Sequence, residues 1–414
     1  MSDLRPVRGT HDLLPEALRR HRHVVDTSRR VAALYGFEEI ATPVFEFSDV
    51  FRRTLGDTSD IVTKEMYSFT DRGGEEITLR PEATAGIARA LISGGLANEL
   101  PLRFFTHGPM FRYERPQKGR LRQFHQIDVE ILGVAEPLAD VEIIAVGAQI
   151  LDELGVLDRC TLHLNTLGDG DSRKAYREVL VDYLRDHAGE LSADSRERLE
   201  RNPLRILDSK DEGDRRILAA APLFPDYLTG EATDFFHVVR EGLDRLGIAW
   251  QADPKLVRGL DYYCHTAFEF VTDALGAQGA VMGGGRYDGL VAMMGGTATA
   301  GTGWAGGIER LAMLIDAPPP PPRPVALVPL GGEAADLLLA MAGELRRQGF
   351  HVDLGYRGNL SRRLKRANRI NARAAVIVGE DEMARRVATL RDLDSGEQEE
   401  VALDQVAARL APWR

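Results

Sequence analysis

Five cations, Arg112, Arg115, Lys118, Arg120 and Arg122, crowd the stretch FRYERPQKGRLRQFHQ (111–126), where Glu114 is the single acid. The chain as a whole carries a net charge of -11, so non-specific coating of nucleic acid is excluded and the cluster points to a local anion. Pro116 and Gly119 are turn residues, and the flanks alternate, which predicts a hairpin around ERPQKGR. On its return arm Phe124, Gln126, Asp128 and Glu130 fall on one face, and His125, Ile127, Val129 and Ile131 on the other. One face is polar enough to line a site, with Arg112 of the incoming arm beside it. A solvated hairpin with a charged tip fits this segment alone equally well.

Three further regions carry chemistry. LRPEAT (79–84) sets Glu82 and Thr84 at a strand-to-helix junction, where free N–H groups and side chains can meet an ammonium and a carboxylate. Pro81 suits the first turn of a helix over 82–92. LVRGLDYYCHTAFEF (256–270) places Arg258 and Asp261 beside Tyr262 and Tyr263, a cationic fork and phenols able to read a phosphate or a heteroaromatic ring, and GGGRYDGL (283–290) reads as a glycine-rich turn. AGTGWAGGIERL (300–311) contains a GxGxxG match, but a proline tract follows it instead of a strand–helix–strand unit. Gly301, Gly303, Gly306 and Gly307 instead predict a flat floor for a purine, with Arg310 reaching a phosphate from the next helix. Alone, each has an ordinary alternative: an acidic helix start, a strand with an exposed arginine, a plain turn. P-loop, HExxH and GxSxG patterns are absent; His21 and His23 read as solvated residues of one helix, and no zinc-ligand cluster stands out.

The elements that must hold these residues follow from periodicity. Helices are expected over 16–35 and 82–92, and strands over 37–46, 76–82, 102–113, 123–132, 161–165, 268–272 and 304–305. A charged, helix-like texture over about 171–245 reads as an insertion in an α+β catalytic domain (1–320) built on a mainly antiparallel sheet flanked by helices. APPPPPRP (317–324) predicts a semi-rigid spacer. Beyond it PVALVPL, FHVDLGY and AAVIVG alternate with helices over 334–348 and 360–370, an α/β domain over 325–414 with a mostly parallel sheet. Its second helix gathers Arg362, Arg363, Lys365, Arg366 and Arg369. A length of 414 residues fits two or three domains, 44% hydrophobic and 28% charged residues fit a soluble globular protein, and the longest apolar runs fall short of a membrane span. The N-terminus lacks the apolar core of a secretory signal, and Cys160 and Cys264 offer no disulfide framework, so a reducing cytoplasm is expected.

Taken in order, these segments resemble class II aminoacyl-tRNA synthetases of the histidine-specific branch. IATPVFE looks like motif 1, with Pro43 at a dimer interface; 111–130 looks like motif 2; GTGWAGGIERL looks like motif 3. LVRGLDYY and GGGRYDGL resemble the pair that marks the branch, and RGTHDLLP and DTSDIVTKEMYSFTDR match as well. Trp304, where the family often has Phe, and Gly307, where a larger apolar residue is usual, depart from it. The resemblance implies a cytoplasmic homodimer with no membrane partner. It implies activation of L-histidine by ATP with Mg²⁺ to histidyl-adenylate and pyrophosphate, then transfer to the 3′ end of tRNA(His). Arg112 and Arg258 would be catalytic at the α-phosphate, Arg120 and Arg310 would hold the outer phosphates, and Phe124 the adenine. Glu82, Thr84 and Gln126 would take the α-amino end of histidine, Glu130 and Tyr263 its imidazole, with Tyr262 on the same side. Arg115, Gln117 and Lys118 would meet the tRNA acceptor end, and 325–414 would bind the anticodon; the resemblance assigns no Mg²⁺ ligands. A catalytically silent relative that regulates ATP phosphoribosyltransferase is the alternative, but such proteins generally lack the C-terminal domain and erode motifs that are intact here.

Overall fold

Alternating apolar residues on strands and 3.6-period stripes on helices leave faces that must be buried together, and they do so in two compact units, Met1–Pro319 and Pro320–Arg414. The computed structural model describes residues 4–55, 61–117, 119–201, 203–209, 211–256, 262–276 and 279–414. In chain order the first unit carries β1 (Glu38–Glu39), β2 (Phe45–Phe47), β3 (Tyr67–Thr70), β4 (Glu76–Leu79), β5 (Leu102–Phe111) and β6 (Gln123–Leu132). There follow β7 (Thr161–Thr166), β8 (Gln251–Ala252), β9 (Cys264–Val271), β10 (Ala280–Arg286) and β11 (Gly301–Gly307).

The main sheet has eight strands in the order β1-β5-β6-β11-β10-β9-β7-β8. From β5 to β7 every pairing is antiparallel, but β1 joins β5 and β8 joins β7 in parallel, so the sheet is mixed rather than mainly antiparallel. Both parallel partners are separated by long connections that include helices, as parallel pairing requires, and both edge strands are two residues long. Strands that short carry no periodicity to read. A separate three-stranded antiparallel sheet, β2-β4-β3, leaves Phe45, Phe47 and Phe69 exposed.

The alternation of β6 holds. Ile127, Val129 and Ile131 enter an apolar core with Val24 and Val31 of helix Pro15–Leu34 and with Ile143, Val146 and Ile150 of helix Leu138–Glu153. Each such fully buried side chain contributes ~1.5–3 kcal/mol, which ties both helices to that face of the sheet. On a second cluster Ala85, Ile87 and Leu91 pack with Tyr262, Tyr263 and Tyr287. Helices Gly170–Asp186, Ala193–Arg201 and Glu212–Leu218 close on their own cluster around Tyr176, Leu180 and Leu184, whereas helix Gly230–Arg245 sends Val239 and Leu243 into the sheet's core.

Two local expectations fail for reasons of packing. The helix expected over 82–92 begins only at Thr84 and runs to Ser93, because Glu82 folds back as its cap, its oxygens accepting from the N–H groups of Thr84 and Ala85 at 2.8 Å each. Pro81 therefore sits before the helix. The run Gly283–Gly285 is not a turn but the middle of β10, in register with Gly303–Ala305 of β11. A Cβ on Gly284 would overlap the Gly303 carbonyl and the Trp304 backbone, so the strands approach only because side chains are missing.

The second unit carries β12 (Val325–Pro329), β13 (Val352–Leu354), β14 (Ala374–Val378), β15 (Val387–Asp392) and β16 (Gln398–Ala402), ordered β13-β12-β14-β15-β16. The first three pair in parallel, as βαβ crossovers through Gly332–Arg347 and Leu360–Arg369 dictate. β15 and β16 add an antiparallel hairpin, making this sheet mixed too.

Candidate active site

Glu130 is the centre of one end of the site. It is 1% exposed, accepts from Thr84 Oγ1 at 2.5 Å, and takes the Tyr287 hydroxyl on its other oxygen. Gly303 lies opposite it in register, and a Cβ there would collide with the Glu130 carboxylate. Burial pushes the Glu130 pKa up to about 8, against the pull of the two hydroxyls, and Glu82 adds to the rise. Asp128, two residues back on the same face, is 1% exposed with neither oxygen hydrogen-bonded; burial, then Glu130 and Glu82, hold its pKa well above the carboxylate range. Tyr262, Tyr263 and Tyr287 stack along the wall, with ring centroids 4.7 Å apart for the first two and 5.8 Å from Tyr262 to Tyr287. Burial raises the Tyr262 and Tyr287 pKa values well above normal, so both phenols stay O–H donors.

The other end is cationic. Arg112 donates from Nε to the Pro81 carbonyl at 2.9 Å, and its guanidinium lies 5.3 Å from the Phe124 ring centroid. Arg120 faces Glu114 at 3.1 Å. Arg310 donates to the carbonyls of Gly119, at 3.1 Å, and Ala280. Gly119 takes the left-handed conformation (φ +74°) that the loop needs to reach back to Arg310. Burial lowers the Arg310 pKa, and Arg120 and Arg112 add like-charge repulsion. An anion relieves that repulsion. Both ends open into one cavity of about 630 Å³, which Glu82, Thr84, Gln126, Phe124, Tyr262 and Tyr263 also line.

The structure thus gathers Arg112, Arg120, Phe124, Gln126, Glu82, Thr84, Tyr262, Tyr263 and Arg310 around one space, from segments far apart in sequence, with Glu130 just behind it on Thr84. Arg258, Asp261 and Lys118 lie outside the described residues. Arg115 and Gln117 are exposed at the hairpin tip, and Pro43 is exposed beside Phe45. Arg122 turns away, its guanidinium 3.8 Å from the Tyr113 ring centroid, while Gly9 of RGTHDLLP accepts its N–H at 2.7 Å. His21 is buried rather than solvated, its ring 5.5 Å from that of His125.

The family model described as histidyl-tRNA synthetase matches residues 9–311, the stretch that holds all of this geometry. The chain belongs to the histidyl-tRNA synthetase family. A second model, described as an anticodon binding domain, matches residues 324–412. The histidine–tRNA ligase of Rhodospirillum rubrum is 62% identical over 404 residues, covering 97% of each chain, and that of Gluconacetobacter diazotrophicus is 59% identical over 99% of each. The solved apo histidyl-tRNA synthetase of Staphylococcus aureus superposes with a TM-score of 0.85 at 32% identity, covering 98% of this chain and 99% of that one.

Within this histidyl-tRNA synthetase framework, sequence reasoning missed Tyr287 and Asp128. Tyr287 sits inside the quoted GGGRYDGL, where the glycines drew attention from the one phenol that bonds Glu130. Asp128 shares the polar face already identified; its burial was the missing signal. In the second unit Arg363 is tied to the Gly355 and Gly358 carbonyls and Arg366 to Asp353 at 2.7 Å, while Arg362, Lys365 and Arg369 are exposed on the same helix. A larger cavity, about 1060 Å³, opens between Tyr35, Ala145, Leu157, Ile248 and Phe270, and none of the residues named above for the site lines it.

Proposed function

We infer that the protein is a histidine–tRNA ligase whose single cavity binds histidine at the Glu130 end and ATP at the arginine end. The observation that carries this is one cavity lined by three guanidinium groups, two phenols and Thr84, with the buried Glu130 carboxyl group directly behind Thr84 and accepting from its hydroxyl. A neutral imidazole has one donor and one acceptor nitrogen, so a carboxylate and a phenol at opposite edges satisfy both. Glu130 takes the imidazole N–H, and Tyr263 or Tyr262 donates to the other nitrogen. Gln126, Thr84 and Glu82 hold the α-ammonium, with the Asp128 carboxylate behind them.

The substrate supplies the nucleophile. A histidine carboxylate oxygen attacks the α-phosphorus of ATP and pyrophosphate leaves; a 3′-terminal hydroxyl of tRNA(His) then attacks the carbonyl carbon and AMP leaves. The chain's task is positioning and charge. Arg112 and Arg258 steady the α-phosphate, Arg120 and Arg310 the outer phosphates, and Phe124 stacks on adenine once Arg112 exchanges its carbonyl partner for phosphate. Glu114, whose Oε2 faces Arg120 at 3.1 Å, and Glu269 share the cavity wall, and such carboxylate oxygens fit Mg²⁺. When bound, that ion neutralises phosphate charge. Arg115 and Gln117 at the hairpin tip, together with Lys118, receive the acceptor end, and Arg362, Lys365 and Arg369 face the anticodon.

The exposed Phe45, Phe47 and Phe69 beside Pro43 support a homodimer through the small sheet, since three aromatic faces on one small sheet favour a partner over water. Two unpaired cysteines suit a reducing compartment, the cytoplasm, and among the described residues no helix is long and apolar enough to cross a membrane. The test is ATP–pyrophosphate exchange by the purified chain. Exchange should depend on histidine and on no other amino acid; its absence from well-folded protein refutes the assignment.

A further inference from the structure

Three side chains that the proposed reaction does not use meet at the edge of the cavity, whose wall Glu309 shares. His21 comes from helix Pro15–Leu34, His125 from the non-cavity face of β6, and Glu309 from the first turn of helix Ile308–Leu314. One ligand atom from each lies within 4.8 Å of the others. We propose that His21, His125 and Glu309 form a binding site for a borderline divalent metal ion, Zn²⁺ above all, distinct from the Mg²⁺ that accompanies ATP.

The donor set decides the class of ion. Two imidazoles and one carboxylate suit Zn²⁺, Co²⁺ or Ni²⁺, whereas Mg²⁺ and Ca²⁺ demand oxygen shells. Zn–N and Zn–O bonds of ~2.0–2.2 Å set tetrahedral ligand atoms ~3.3–3.5 Å apart, so the side chains need only small rotations to close on an ion. Much of the ordering is done already. Glu309 is held by the His125 backbone N–H at 3.0 and 2.9 Å, and its Oε1 lies 2.8 Å from His125 Nδ1. The His21 and His125 rings meet edge to face, and the charged group facing both is Glu309. Either tautomer leaves each ring one nitrogen lone pair for a metal, and a fourth position stays for water. His21 is 8% exposed, but His125 and Glu309 keep side-chain exposures of 24% and 16%, which gives an ion its way in. The short pairs His107–Glu39, His163–Asp253 and His237–Glu241 offer one imidazole each and serve as weak competitors.

The site was invisible to spacing rules because its ligands stand 104 and 184 residues apart along the chain (21 to 125, 125 to 309). It would fasten β6, next to Phe124 and Gln126, to the helix that carries Arg310. The experiment uses the full chain, stripped with chelator and kept free of histidine, which itself binds zinc. Titration with Zn²⁺ or Co²⁺ should load one equivalent at micromolar concentration. It should also raise the unfolding temperature by about 3 °C or more at saturating metal. His21→Gln should weaken binding by about 30-fold or more while histidine-dependent exchange continues. Zn²⁺-soaked crystals of the unsubstituted chain should give an anomalous peak within coordination distance of all three side chains, a readout independent of whether the variant folds. No micromolar binding, binding unchanged by His21→Gln, or a peak elsewhere overturns the proposal.

Discussion

The two ends of the cavity are built on opposite plans. At the Glu130 end the polar groups bond one another: Thr84 and Tyr287 to Glu130, and Glu82 to the start of helix Thr84–Ser93. At the arginine end the polar groups hold the backbone: Arg112 the Pro81 carbonyl, Arg310 those of Gly119 and Ala280. The first arrangement is a fixed template that punishes a ligand failing to complete it. The second rests Arg112 and Arg310 on neutral acceptors, which a phosphate outcompetes because charge-assisted bonds are roughly twice as strong, while Arg120 keeps Glu114 at 3.1 Å. Selectivity belongs to the rigid end, and the capacity to move with reaction charge to the other.

The largest expected effect tests the template. Glu130→Ala should cut histidine-dependent exchange by about 10⁴-fold in kcat/KM, because buried hydroxyls lose their partner and imidazole its acceptor. A loss under tenfold would break the contrast. Next, Arg112→Ala should lower kcat by about 10²–10³-fold while calorimetry finds histidine affinity unchanged; a parallel loss of histidine binding would mean the ends are not separable. Tyr287→Phe should raise the KM for histidine by about 10–100-fold, the worth of one bond to a carboxylate, with kcat within a few-fold of the parent.

A pH series sharpens the same point without substrate. Burial lifts the Glu130 pKa to about 8 when folded, against its ordinary value of 4.5, so the folded chain holds a proton that the unfolded chain releases. That contribution to stability is complete below about pH 4.5 and is lost as pH rises to about 8. Glu130→Gln cannot ionise, so its unfolding temperature should gain on the parent from pH 5 to pH 8 and hold level above; a gap that does not change with pH would place the carboxylate in water. The smallest effect is expected at Arg122→Met, which removes a cation over Tyr113. It should cost about 1–2 kcal/mol in chemical denaturation and leave exchange near normal.

How legible was this in the sequence? The β5–β6 hairpin and the two faces of β6 follow from alternation and turn chemistry, which are local and strong; the convergence of four motifs is implied only by the resemblance to class II synthetases. What failed was set by contact between distant segments. Glu82 was read as the first turn of a helix, but its buried carboxylate accepts from the Thr84 and Ala85 N–H groups, which have no acceptor within the helix, so the helix starts after it. Three glycines were read as a turn because turns are their usual place; only the neighbouring strand explains them. The parallel edges β1 and β8 are too short to carry a period. Tyr287 and the His21–His125–Glu309 group are products of packing, and no spacing rule reaches across 104 or 184 residues.

The glycine run of β10 and its partner Gly303 also limit how this pocket can change over generations. A wall made of side chains can drift one substitution at a time, each new residue reshaping the space slightly. Where Gly284 faces the Trp304 backbone and Gly303 faces Glu130, any side chain overlaps a backbone or the carboxylate itself. The floor is therefore closed to gradual revision, and a descendant enzyme or a designed variant with another amino acid preference must be found through substitutions at the neighbouring side chains, Tyr287, Thr84 and Asp128.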